Sequence, residues 1–92
     1  MSVKKNIVAV IPAFNESNTI VQTIQEVLNY CSKIIVINDC STDGSKELLE
    51  KNKNNKVEII HNNKNLGIGG SVKLGFERAL KTNADIVIKI DA

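Results

Sequence analysis

Four short apolar runs, Ile7–Ile11, Ile34–Ile37, Val57–Ile60 and Ile86–Ile90, recur along a chain of 92 residues. They are rich in β-branched residues, and the first two lack the polar alternation of a strand with one wet face. Such runs suit strands buried on both sides, as in a parallel sheet covered by helices. The segments between them have helical period. Ser17–Tyr30 places Ile20, Ile24, Val27 and Leu28 on one stripe, with Ser17 as the expected N-cap. Thr42–Asn52 has Leu48 and Leu49 as anchors and Ser41 or Thr42 as its cap. Gly69–Thr82 aligns Ile68, Val72, Phe76, Ala79 and Leu80. The order β-α-β-α-β-α-β predicts a three-layer α/β chain with a parallel sheet and right-handed crossovers.

Composition narrows the function classes. The chain is 42% hydrophobic and 24% charged, which argues against disorder, and only 3% aromatic, which leaves Ile, Val and Leu to build the core. A net charge of +2 is too small to indicate nucleic acid or a membrane surface. The lysines of Lys51–Lys56 read as a solvated helix end and turn. Cys31, Cys40 and the single histidine, His61, lack metal-ligand spacing, so reduced thiols in a cytoplasmic protein are expected. Met1–Asn6 is polar, the next apolar run is too short for a leader, and no run approaches the ~20 residues of a membrane span. The last predicted strand ends at Ile90 with only Asp91 and Ala92 after it. Domain boundaries usually fall in linkers, so residues 1–92 are expected to be part of a larger domain.

In open α/β sheets, ligands bind beyond the carboxyl ends of the strands. The segments there are "PAFNE", "NDCSTDG", "HNNKNLGIGG" and "DA". Pro12 and Glu16 fit a turn and helix start, but equally one wall of a pocket. Asp39 precedes the expected helix cap, so capping of that helix does not explain it. It is placed to accept hydrogen bonds from a base or a ribose, and both readings stay open. Gly67 and Gly69 suit a loop with φ > 0, and Gly70 and Gly75 suit close packing of a helix on the sheet. The run is neither a dinucleotide fingerprint, which follows a first strand, nor a P-loop, which needs Gly-Lys-Ser/Thr. Asp91 alone is a poor metal site, because hard cations take several oxygens.

The ordered set "VAVIPAFNE…IIVINDCSTDGS…NKNLGIGGSVKLGFERA…DIVIKIDA" closely resembles the amino-terminal half of family 2 glycosyltransferases with the GT-A fold, over nearly all of Val8–Ala92. It is most similar to the branch of dolichyl-phosphate mannose synthase and related polyprenyl-phosphate sugar transferases. The resemblance implies a Rossmann-like sheet forming the first half of a GT-A domain, the nucleotide-sugar-binding part, ending at the D-x-D motif. Pro12, Ala13, Phe14 and Glu16 would then shape the nucleoside end of the pocket. Asp39 would contact the base, Gly67 and Gly69 would pass close to the nucleotide with Lys73 behind them, and Asp91 would be the first metal-binding acid. The implied donor is a UDP- or GDP-linked sugar, the cofactor Mg²⁺ or Mn²⁺, and the acceptor a polyprenyl phosphate or a saccharide. A lipid acceptor implies the inner face of a membrane. No catalytic base is expected within the chain, which alone should be inactive while still binding nucleotide weakly.

Asn38-Asp39-Cys40-Ser41 departs from the more usual Asp-Asp-Gly-Ser of the family, losing a carboxylate and a glycine. Three rival readings stand beside this one. A nucleotidyltransferase would carry glycine and arginine after its first strand, and "PAFNE" has neither. A receiver-like fold would carry paired acids there, where only Glu16 stands. A non-catalytic nucleotide-binding module, self-associating as a homo-oligomer through an exposed sheet edge, is the alternative from another class.

Overall fold

A computed structural model describes residues 5–92. Its elements run β1 (Ile7–Ala13), α1 (Ile20–Val27), β2 (Lys33–Asn38), α2 (Ser45–Asn52), β3 (Val57–His61), α3 (Gly67–Ala79) and β4 (Ile86–Lys89). The strands form one parallel sheet in the order β3-β2-β1-β4. This is the three-layer arrangement that the strand and helix periods predict, and the Rossmann-like sheet that the resemblance implies.

The sheet's pleat divides each central strand between two cores. Ala9, Ile11 and Ala13 of β1 and Ile34 and Val36 of β2 meet Ile20, Ile24 and Val27 of α1 and Leu49 of α2. Val8, Val10, Ile35 and Ile37 point the other way, against α3. Burying each of the Val, Leu and Ile side chains contributes about 1.5–3 kcal/mol, which is why β1 and β2 read as unbroken apolar runs. The chain steps outward from β1 to β3 with α1 and α2 on one face, then returns past β1 to β4 with α3 on the other. Crossovers of one hand require that change of face. The order therefore reverses between β1 and β4, and a crevice at the carboxyl end of β1 is the expected consequence.

Several local expectations are corrected. β1 continues through Pro12 and Ala13, which pair with Ile37 and Asn38. Pro12 is tolerated in this central strand because even-numbered residues of β1 direct their backbone groups toward β4. The last bond on that side is Ile90 N–H to the Val10 carbonyl. The missing donor of Pro12 falls beyond it.

The helices are shorter than their periodic segments. Ser17 does not cap α1, whose N-cap is Thr19, and neither Ser41 nor Thr42 caps α2, whose N-cap is Gly44 at φ 89°. Those side chains and amides are engaged between loops instead. The buried stripe of α3 is Ser71, Gly75 and Ala79, while Ile68 and Leu80 are exposed. Small residues let the helix axis approach the sheet, which rotates the larger aliphatics to its flanks. A β-carbon at Gly75 would lie 2.2 Å from Val10 Cγ1, so its close-packing role holds. At Gly70 the same atom would meet Leu66 of its own chain turn rather than the sheet. Gly67 has the positive φ expected of it, and Gly69 does not.

Candidate functional site

The loops after β1 and β2 are fastened to each other. Two ladder bonds continue past the strands: Asp39 N–H donates to the Ala13 carbonyl and Asn62 N–H to the Asn38 carbonyl, each at 2.9 Å. Asn15, at φ 52°, then donates its N–H to Ser41 Oγ at 3.0 Å and accepts the Thr42 N–H on Oδ1 at 2.7 Å. Asp43 accepts the N–H of Ser17 at 3.0 Å and both the N–H and hydroxyl of Ser45. Those donors, the Ser45 hydroxyl first, hold the Asp43 carboxyl well below the usual carboxylate range. Asparagine suits position 15 because it tolerates the left-handed region while its amide bonds a neighbouring backbone.

Asp39 secures the third loop. Oδ1 accepts the Leu66 N–H at 2.7 Å and the Asn62 amide at 3.0 Å, and Oδ2 accepts the Gly67 N–H at 2.9 Å. Leu66 and Gly67 begin α3, whose first N–H groups have no partner within the helix. Asp39 is thus a cap after all, of α3 rather than of the helix that follows it in sequence. A carboxylate offers about four lone-pair directions, so three donors leave roughly one for a ligand. Cys40, at φ 59°, donates its thiol to the Asn62 carbonyl and adds another tie to the same loop.

These fastenings shape a cavity of about 130 Å³ lined by Pro12, Ala13, Phe14, Glu16, Asp39, Ile68 and Ser71. Phe14 and Ile68 stay largely exposed at its mouth, whereas Asp39 is 4% exposed and Ser71 fully buried. Five of the expected site residues, Pro12, Ala13, Phe14, Glu16 and Asp39, therefore share one cavity. Gly67 touches it only through its bond to Asp39, Gly69 lies in the first turn of α3, and Lys73 is exposed outside it. Ile68 and Ser71 were not among the expected residues. Their signal was the small-residue spacing Ser71, Gly75, Ala79, which sets the rotation of α3.

Asp91 stands apart, beyond β4, with its side chain 79% exposed and 3.3 Å from the Lys89 ammonium. Among the described residues no three metal-ligating side chains gather. One carboxylate beside a cation does not fit Mg²⁺ or Mn²⁺, which take about six oxygens. These residues form no metal site by themselves. Cys31 and Cys40 are free thiols. No described helix is long and apolar enough to cross a membrane.

The family model for glycosyl transferase family 2 matches residues 8–92. The chain is 32% identical, over 90% of its length, to an undecaprenyl-phosphate 4-deoxy-4-formamido-L-arabinose transferase of Proteus mirabilis, and covers 27% of that protein. It is 34% identical, over 96% of its length, to a UDP-N-acetylglucosamine–dolichyl-phosphate N-acetylglucosaminyltransferase of Methanococcus voltae, covering 41%. It is 28% identical, over 90% of its length, to a dolichyl-phosphate beta-glucosyltransferase of Trichomonas vaginalis, covering 28%. The chain thus spans well under half the length of these relatives.

Proposed function

The chain belongs to glycosyl transferase family 2, and from that premise we propose that it is the nucleotide-sugar-binding part of a glycosyltransferase domain whose acceptor is a polyprenyl phosphate. The observation that carries this reading is the cavity where Phe14, Ile68 and the buried Asp39 converge. An apolar mouth above a carboxylate suits a nucleobase: the ring packs on Phe14 and Ile68, and a ring N–H donates to the remaining acceptor direction of Asp39. Ribose and diphosphate then leave across the rim. The lipid acceptor rests on the relatives, whose names specify undecaprenyl or dolichyl phosphate.

In the proposed reaction a phosphate oxygen of the acceptor attacks the anomeric carbon of a UDP- or GDP-linked sugar. The bond from that carbon to the diphosphate breaks, and its electron pair departs with the nucleoside diphosphate. An anionic phosphate brings no proton that must be removed, so no residue of this chain is assigned as a base. Asp91 would offer a single carboxylate to a divalent cation neutralising the diphosphate. A lipid acceptor would put the reaction at the cytoplasmic face of a membrane.

The test is an amide-resolved NMR titration with UDP, GDP, CMP and inorganic phosphate, with and without Mn²⁺. Saturable shifts for one nucleotide at Phe14, Glu16, Asp39 and Ile68, and none with phosphate, are expected. A folded chain that shifts with none of the nucleotides would remove nucleoside binding from this cavity. A second reading, self-association, is favoured by β4, a sheet edge carrying the partly exposed Ile86. Sedimentation over a wide concentration range decides it, a constant monomer mass counting against it.

A further inference from the structure

On the α2 face of the sheet a chain of polar side chains runs from the surface to the clasped loops, and the cavity itself does not use it. Glu50 Oε2 lies 2.9 Å from His61 Nε2, and His61 Nδ1 lies 2.9 Å from Asn38 Nδ2. Asn38 Oδ1 accepts the Ser41 N–H at 3.3 Å, and Ser41 Oγ accepts the Asn15 N–H. Asn38 and His61 are register partners on β2 and β3, and Asn38 is only 3% exposed.

The donors in this chain fix its protons. A backbone N–H can only donate, so the atom of Asn38 facing Ser41 is the oxygen and the atom facing His61 is the amide nitrogen. His61 Nδ1 must then accept, and the imidazole proton sits on Nε2, directed at Glu50. A second proton on Nδ1 would face the Asn38 amide donor. Relieving that clash by turning the amide would point its nitrogen at the Ser41 N–H instead. The ring therefore cannot become doubly protonated while both Asn38 bonds survive.

We propose that His61 is a pH-operated positioning residue, holding the Ser41–Asn15 clasp closed when neutral and releasing Asn38, and with it the Ser41 N–H, when it gains a proton. The groups bonded to His61 are Asn38 from β2 and Glu50 from α2, which is itself paired with Lys53. Glu50 favours the imidazolium, and Lys53 and His61 hold the Glu50 carboxyl below its ordinary value. Asn38 opposes protonation from the other side of the ring.

The experiment is a pH series of ¹⁵N NMR spectra on the whole chain, recording the imidazole nitrogens of His61 and the amides of Asn15, Ser41 and Thr42. The expected result is an Nε2–H tautomer at high pH, loop amides that shift with the same midpoint as the ring, and flat loop amides in His61→Gln. An Nδ1–H tautomer would overturn it, as would loop amides indifferent to the His61 midpoint. Should His61→Gln fail to fold, coincidence of the ring and loop midpoints in the wild type, read against the Leu80 and Thr82 amides at the far end of α3, still decides.

Discussion

The two faces of the sheet are covered by different means. On one, α1 buries Ile20, Ile24 and Val27 against alternate residues of β1 and β2. On the other, α3 lays Ser71, Gly75 and Ala79 on the same two strands and is secured at its ends by charge. Asp39 holds the first N–H groups of α3, and near its last turn Arg78 donates to Glu58 at 2.7 Å, with Lys33 at 3.1 Å from the same carboxylate. Small residues and end anchors set the height and rotation of α3. The cavity lies over the second face, where its shape depends on that placement.

Substitutions can break this contrast. On the first face, Ile20→Ala should cost about 2–5 kcal/mol by denaturant unfolding, through lost burial and a residual cavity. A loss under 1 kcal/mol would mean that α1 collapses onto the sheet and is no more tightly specified than a loop. On the second face, Gly75→Ala should cost about 1–3 kcal/mol, because the new methyl overlaps Val10. Adding Val10→Ala should recover part of that cost, and strictly additive losses would show that close approach is not what Gly75 supplies. Asp39→Ala should cost about 1–2 kcal/mol by leaving the Leu66 N–H unpaired and the Gly67 N–H with Asn65 Oδ1 alone. Amide exchange should quicken at the start of α3 and not in α1; equal quickening in both would deny the anchor.

The smallest effect is expected at the other anchor. Hydrogen bonding to Arg78, then to Lys33, holds the Glu58 carboxyl below its ordinary value of 4.5. The folded value lies below the unfolded one, so this contribution is complete above about pH 4.5 and is lost as pH falls through the folded value. Arg78→Gln should therefore lower the thermal midpoint at pH 7 slightly and flatten its decline in acid. An unchanged acid slope would assign the decline to other carboxylates, Asp43 first.

The same contrast explains what could be read in advance. Runs such as Ile34–Ile37 and the Ile20, Ile24, Val27 stripe are bulk signals, and they located the strands, the layers and the first helix face. The rotation of α3 differs from the expected one because Ile68, Val72 and Leu80 outweigh Ser71, Gly75 and Ala79 in any hydrophobic count, although the latter face the sheet. Site residues at the carboxyl end of β1, such as Pro12 inside the strand and Phe14 just past it, are legible because they adjoin its apolar run in sequence. Ile68 is not, because its position depends on how α3 turns.

The amino-acid sequence alone therefore determined the α/β layering and the polar strand exits, since burial period and turn chemistry act over a few neighbouring residues. Only the tertiary structure decided that Asp39 caps a helix 27 residues further on, that Asn15 and Asp43 fasten the loops, and that His61 is wired to them through Asn38. A carboxylate or amide carries no mark of the donor it will meet. That choice is made when parallel strands bring loops from distant parts of the chain side by side, and every buried donor must find an acceptor.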